Sequence, residues 1–140
     1  MNKVLNSVIV GLILIVIVAL FLVMGQAINS FNENQKVTEY KNSKRESLEH
    51  IDPYLNNLSD DDKYIAKFCY DYYKDKFNSA TSITEADDVA YNVHRVVSLA
   101  KDCSKSSIEE LRKMKDEIDE TQRQEKMMHE FSKELKDIVN

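Results

Sequence analysis

The densest run of ligand-type side chains is Asp60-Asp61-Asp62, preceded by Ser59. Three successive carboxylates could hold a hard cation. A calcium loop, however, needs oxygen donors at alternating positions, a later bidentate acid and a glycine at its sharp turn. Neither the glycine nor the later ligands follow. The same four residues make a strong helix start: the serine can cap, and the acids sit at the positive end of the helix dipole. His50, His94 and His129 are far apart, and none has a second His or Cys at zinc-ligand spacing. No metal or cofactor is therefore expected. No nucleophile sits in a motif that would activate it, so the chain reads as a non-enzyme.

Two cysteines, Cys69 and Cys103, are the only thiols. In an extracytoplasmic protein an even pair suggests a disulfide. A helical hairpin turning near residue 80 would set Cys103 about 16 Å along the axis from the position opposite Cys69. A disulfide needs Cα atoms within about 7 Å. The pair stays a candidate bridge only if the hairpin is misplaced.

The aromatic run Phe68-Cys69-Tyr70-Asp71-Tyr72-Tyr73 mixes core and surface. Tyr72 and Tyr73 share the apolar face with Ile65, Phe68 and Cys69; Tyr64 and Tyr70 point elsewhere. Tyrosine suits interfaces through its apolar body and polar tip. Tyr64 and Tyr70 are therefore candidate partner-surface residues, together with Met127, Met128, Phe131 and Leu135 near the C-terminus.

These residues need helices to position them. The only glycines, Gly11 and Gly25, fall in or at an apolar N-terminal segment, and the only proline is Pro53. A glycine-free remainder has no Gly-rich phosphate loop and no tight hairpins requiring positive φ. The fold class is all-α. Val8 to Met24 is 17 residues without a polar side chain. About 20 residues of helix cross a hydrocarbon core, so residues 8–27 read as a transmembrane signal anchor after a short tail, 1–7. Ser7 and Gly11 form a small-xxx-small pair. Gly25-Gln26-Ala27 resembles a cleavage site, which leaves a secreted, soluble helical protein as the alternative. Lys3 on the near flank places the N-terminus in the cytoplasm and the rest outside, in the periplasm if the host is Gram-negative. Counting basic residues twenty positions out, to Lys36, Lys41, Lys44 and Arg45, reverses that answer.

Residues 28–52 read as a polar juxtamembrane stalk helix with sparse apolar positions, frayed near Asn29 to Asn34. Asp52-Pro53 reads as N-cap and first helical position. Residues 53–104 form an antiparallel helical hairpin. Its first long helix starts at Ser59 and runs to about Phe77. Its second opens with the capping box Ser82-Ile83-Thr84-Glu85 and carries the stripe Ala86, Val89, Ala90, Val93, Val96, Val97, Ala100 and Cys103. Residues 105–140 form a long amphipathic helix opened by a capping box in Ser106-Ser107-Ile108-Glu109-Glu110. It has apolar patches at Leu111, Met114 and Ile118 and at Met127, Met128, Phe131, Leu135 and Ile138. Thr121 and Glu125 interrupt what would otherwise be a coiled-coil seam.

Net charge is −5, and of 19 basic and 24 acidic side chains only Lys3 lies in the first 27 residues. Such a domain repels phosphate backbones, so nucleic acid is not an expected partner. The expected function is protein–protein interaction by a membrane-integral tether or accessory subunit, with a homo-oligomer among the options. The layout of short N-tail, signal anchor and long outward helices resembles that of phage inner-membrane spanins, which implies a role in lysis. That likeness lies in layout, with no residue motif, and the interrupted seam departs from it. A periplasmic inhibitor or immunity protein fits the same layout.

Overall fold

A computed structural model describes the backbone of residues 2–139 and the side chains of 14–137. The Ser7/Gly11 pair and Ile138 lie outside the described side chains. Among the described residues there are five helices and no strand.

Helix α1, Asn2–Arg45, is one continuous rod of 44 residues, about 66 Å long. The expected fraying near Asn29 to Asn34 does not occur. No proline or glycine interrupts Gln26 to Arg45, and polar residues bond one turn apart. The Thr38 hydroxyl donates to Asn34 O at 2.9 Å, and Gln35 Nε2 to Glu39 Oε1 at 3.2 Å. Gly25 has open space around it. A turn through Ser47 and Leu48 ends the rod. The short α2, Asp52–Leu55, starts one residue earlier than the sequence suggests. Ile51 occupies its N-cap without a side-chain bond.

Helix α3 is Asp60–Ser79, α4 is Ile83–Asp102 and α5 is Lys105–Val139. The first two starts follow expectation. Ser59 Oγ accepts from Asp62 N at 3.3 Å, and its hydroxyl donates to the Asp62 carboxylate at 2.6 Å. Ser82 Oγ accepts from Glu85 N at 3.1 Å, while Glu85 turns back to Thr81 N at 2.8 Å. The third start is a correction. The cap of α5 is Ser104, whose Oγ accepts from Ser107 N at 3.2 Å; Asp102 accepts both hydroxyls, from Ser104 and Ser107, at 2.5 Å. Asp102 supplies the acceptor from the preceding helix, and Glu110 is free to pair with Arg95.

With no glycine in reach, Cys103 takes the left-handed C-cap position of α4, at φ 45°. Its backbone N–H donates to Leu99 O at 3.1 Å. Left-handed geometry costs a β-carbon about 1–2 kcal/mol, and glycine loses roughly half of that relief to unfolded-chain entropy. Cys103→Gly is expected to stabilise the fold by about 0.5–1 kcal/mol, read from a denaturant midpoint.

Three carboxylates at these helix starts sit below the usual range. Asp62 is held down by the Ser59 hydroxyl and then Arg112, Glu85 by the Thr81 backbone N–H, and Asp102 by the Ser104 and Ser107 hydroxyls. The stabilisation they confer is complete above the ordinary carboxylate range near pH 4 and is lost as pH falls through their lowered values. A melting temperature that is flat near neutrality should therefore drop below about pH 4. Removing both hydroxyls, Ser104→Ala with Ser107→Ala, should make that drop shallower.

Helices α3, α4 and α5 form an up-down-up bundle. Arg112 on α5 reaches Asp62 at the start of α3 at 2.7 Å, and Lys76 near the end of α3 reaches Glu125 at 2.8 Å, so α5 runs parallel to α3. Arg95 of α4 pairs with Glu110 at 2.5 Å. Ala66, Cys69 and Phe77 meet Ala86, Ala90, Val93, Val96, Val97 and Ala100, and Leu111, Met114 and Ile118 close the third side. Small residues on α4 let the aromatic α3 approach, which fills space at interior density. The stripe on α4 holds as expected except at its end: Cys103 is exposed, because the αL cap turns it out of the helix face.

The end of α1 is fastened to the α3–α4 turn. Lys41 Nζ donates to Asn78 O at 2.8 Å and to Ala80 O at 3.0 Å. The Tyr40 hydroxyl donates to Asp87, which pushes its pKa up to about 12. From there the chain runs down the bundle, and Leu48, Ile51 and Leu55 join the same core.

Candidate functional site

Titratable groups in the bundle do not converge. His50, His94 and His129 are all exposed. Among the described residues no three His, Cys, Asp or Glu side chains are placed to hold a metal ion, and no buried side-chain nitrogen or oxygen lacks a hydrogen-bond partner.

Both thiols are free. The expected geometric obstacle to a Cys69–Cys103 bridge is thus matched by one buried and one exposed cysteine. Burial pushes the Cys69 thiol up to about 12, and its Sγ lies 3.7 Å from Leu111 O. The thiolate is the reactive form. A thiol reagent should label one cysteine per native chain, Cys103, and two after denaturation. Rapid labelling of both in the native state would mean that the α3–α5 contact opens.

The surface candidates separate. Tyr64 is 64% exposed, its ring 6.3 Å from that of Phe68. Tyr70 corrects the expectation: it is only 4% exposed. The descending segment after α1 covers that side of α3, and the Tyr70 hydroxyl donates to Glu49 O at 3.3 Å. Tyr70 is a core residue with a satisfied polar tip. Tyr72 and Tyr73 are half-buried in edge-on contact at 5.2 Å. Met127, Met128, Phe131 and Leu135 are exposed at 57%, 69%, 58% and 47%.

Tyr64 lies toward the start of α3, at the level of Arg112 and Lys115. The four α5 residues lie beyond the Lys76–Glu125 pair, past the end of α3. They do not form one surface with Tyr64. Tyr64 belongs instead to an open groove of about 900 Å³ that also takes in Phe68, Tyr72, Lys76, Gln122 and Glu125. The sequence signal for it was available: Tyr64, Phe68 and Tyr72 recur every four residues. Its lining holds lysines and acids alike, a surface that could seat a side chain but offers no activated nucleophile or acid–base pair.

Exposed apolar groups gather at one pole. Apart from Tyr64, Ile83 and Tyr91, every large exposed hydrophobic side chain among the described residues lies between Leu14 and Phe31 on α1 or between Met127 and Leu135 on α5. Lys41 fixes α1 at the α3–α4 turn, and Lys76–Glu125 fixes the level at which α5 passes that same turn. Both helices therefore overhang the same end of the bundle. The described part of α1, Leu14–Arg45, is long and apolar enough to cross a membrane and has nothing packed on its apolar window. No protein-family model, curated protein or solved structure matches the chain.

Proposed function

We propose that the chain is a single-pass membrane protein, anchored by the apolar part of α1, whose helical bundle works outside the cytoplasm by binding protein. The observation that carries this reading is the one-sided distribution of apolar surface. A run from Leu14 to Met24 exposed at 41% or more at its large hydrophobic residues has no place in water but suits lipid, where a helix satisfies its own backbone. Beyond the groove at Tyr64, Phe68 and Tyr72, the longest exposed apolar stripe of the bundle lies on α5. Anchoring holds that stripe near the membrane and raises its effective concentration for partners there. Lys3 on the near flank supports a cytoplasmic N-terminus.

Alkaline carbonate should leave the chain in the membrane pellet, and an intact mass should include residues 1–27. A reporter active only outside the cytoplasm, fused after Asn140, should be active. A mass lacking residues 1–27 would establish the released form instead. A cytoplasm-only reporter lighting up at Asn140 would reverse the orientation. Capture from detergent-solubilised membranes should recover a membrane protein partner.

A further inference from the structure

The stripe on α5 is not a continuation of the core face. At about 100° per residue, Met128, Phe131 and Leu135 are turned roughly 100° from the face that carries Leu111, Met114 and Ile118. Their spacing is three then four residues, and Ile138 follows after three more. That is an a/d seam of about one and a half heptads. It begins just past the Lys76–Glu125 pair, and every described side chain from Glu120 onward is exposed.

We infer that a second copy of this chain covers this face, the two α5 overhangs pairing in parallel beside the membrane; this rests on the anchored reading above. Symmetry, charge and length favour this occupant. Two copies anchored in one membrane with one orientation are related by a two-fold axis along the membrane normal, which makes their α5 helices parallel and in register. In that register the positions flanking the seam are Met127, Ser132, Glu134 and Val139. No like charges oppose each other at these positions of the sequence.

The lengths also fit. About 14 residues carry α5 some 20 Å past Glu125, and about 17 residues carry α1 some 25 Å from Lys41 to Met24. The overhang thus matches the stretch of α1 between bundle and apolar segment, where Ile28 and Phe31 are exposed at 57% and 69%. The four side chains on α5 expose on the order of 450 Å² per copy, little more than half of the about 800 Å² per partner in a stable interface. A seam this short would not hold two free peptides together. Confinement to a membrane supplies the missing concentration.

The test uses the full-length chain in membranes, with Cys103→Ser removing the exposed thiol and Cys69 left buried. Single cysteines are introduced as Met128→Cys, Phe131→Cys or Leu135→Cys on the seam, and as Glu130→Cys or Lys133→Cys on the outer face. Oxidation should give several-fold more linked dimer at the seam positions. A flat profile across all five overturns the inference. In lipid nanodiscs, Phe131→Glu should lower the dimer fraction at least tenfold and Lys133→Glu should leave it unchanged, with the thermal melt of the bundle the same in both. A monomeric chain whose fluorophore at Phe131→Cys is quenched by brominated lipid would show that the bilayer covers the stripe, and overturns it too. Carbonate extraction separates the two levels. A chain lost from the pellet removes the anchored reading itself, whereas a retained chain with unpatterned cross-links removes only the pairing.

Discussion

Val93→Asp should abolish cooperative unfolding of the bundle. Val93 is fully buried at the centre of the α4 stripe, and its core neighbours are apolar throughout. The one buried polar residue among the described ones is Ser107, already bonded to Asp102. An aspartate at 93 would have no cation within its cluster. Its carboxylate would either stay charged without a partner or take up a proton and lose its hydration. Either route costs several kcal/mol, against a total stability of about 5–15 kcal/mol for a domain of this size. A fragment of residues 36–140 carrying the change should lose its sigmoidal circular dichroism melt. Glu120→Ala provides the contrast. Glu120 bonds Gln124 at 3.0 Å and pairs with Arg123 at 3.3 Å, all on the exposed side of α5. Exposed pairs one turn apart contribute about 0.2–0.5 kcal/mol, so that variant should melt close to the parent. Equal losses from both would mean that α4 does not form the centre of the core.

The α4 stripe was legible because period 3.6 and small side chains are local properties. So were the caps at Ser59 and Ser82, where a hydroxyl meets a backbone N–H three residues on. What the sequence concealed depends on contacts between distant segments. Tyr70 looks outward on an isolated α3, and only the return of the chain at Glu49 covers it. Ser106 and Ser107 look like the start of α5 until Asp102 reaches across the turn and draws the cap back to Ser104. Cys103 continues the periodicity of α4, but the helix has ended and the only conformation left for the turn is left-handed. The α5 stripe was visible as apolar residues. Its rotation away from the core face follows from the spacing alone, at about 100° per residue; its place past the end of α3 follows from the parallel pairing of α3 and α5, set by Arg112–Asp62 and Lys76–Glu125.

Ile51→Ala should cost about 2–5 kcal/mol, the range for truncating a fully buried aliphatic side chain. The polar stretch before it reads as a stalk, and a flexible stalk would tolerate the change. Ile51 is only 1% exposed and belongs to the core cluster with Leu48 and Leu55. The neighbouring His50 is exposed, and His50→Ala should shift stability by no more than about 0.5 kcal/mol. For a bundle of roughly 100 residues, the Ile51 change should lower the melting temperature by about 10 °C or more. The fragment beginning at residue 53 should be weakened in the same way relative to that beginning at 36, since it lacks Leu48, Ile51 and the Lys41 bonds to Asn78 and Ala80. If Ile51→Ala matched His50→Ala, the segment would be a free tether and the bundle could swing beneath the membrane. Its burial instead fixes the segment after α1 to the bundle, as the Lys41 and Tyr40 bonds fix the end of α1 itself. For the proposed pairing, a joint fixed at Lys41 and Ile51 means that two copies need order no linker before their α5 stripes meet.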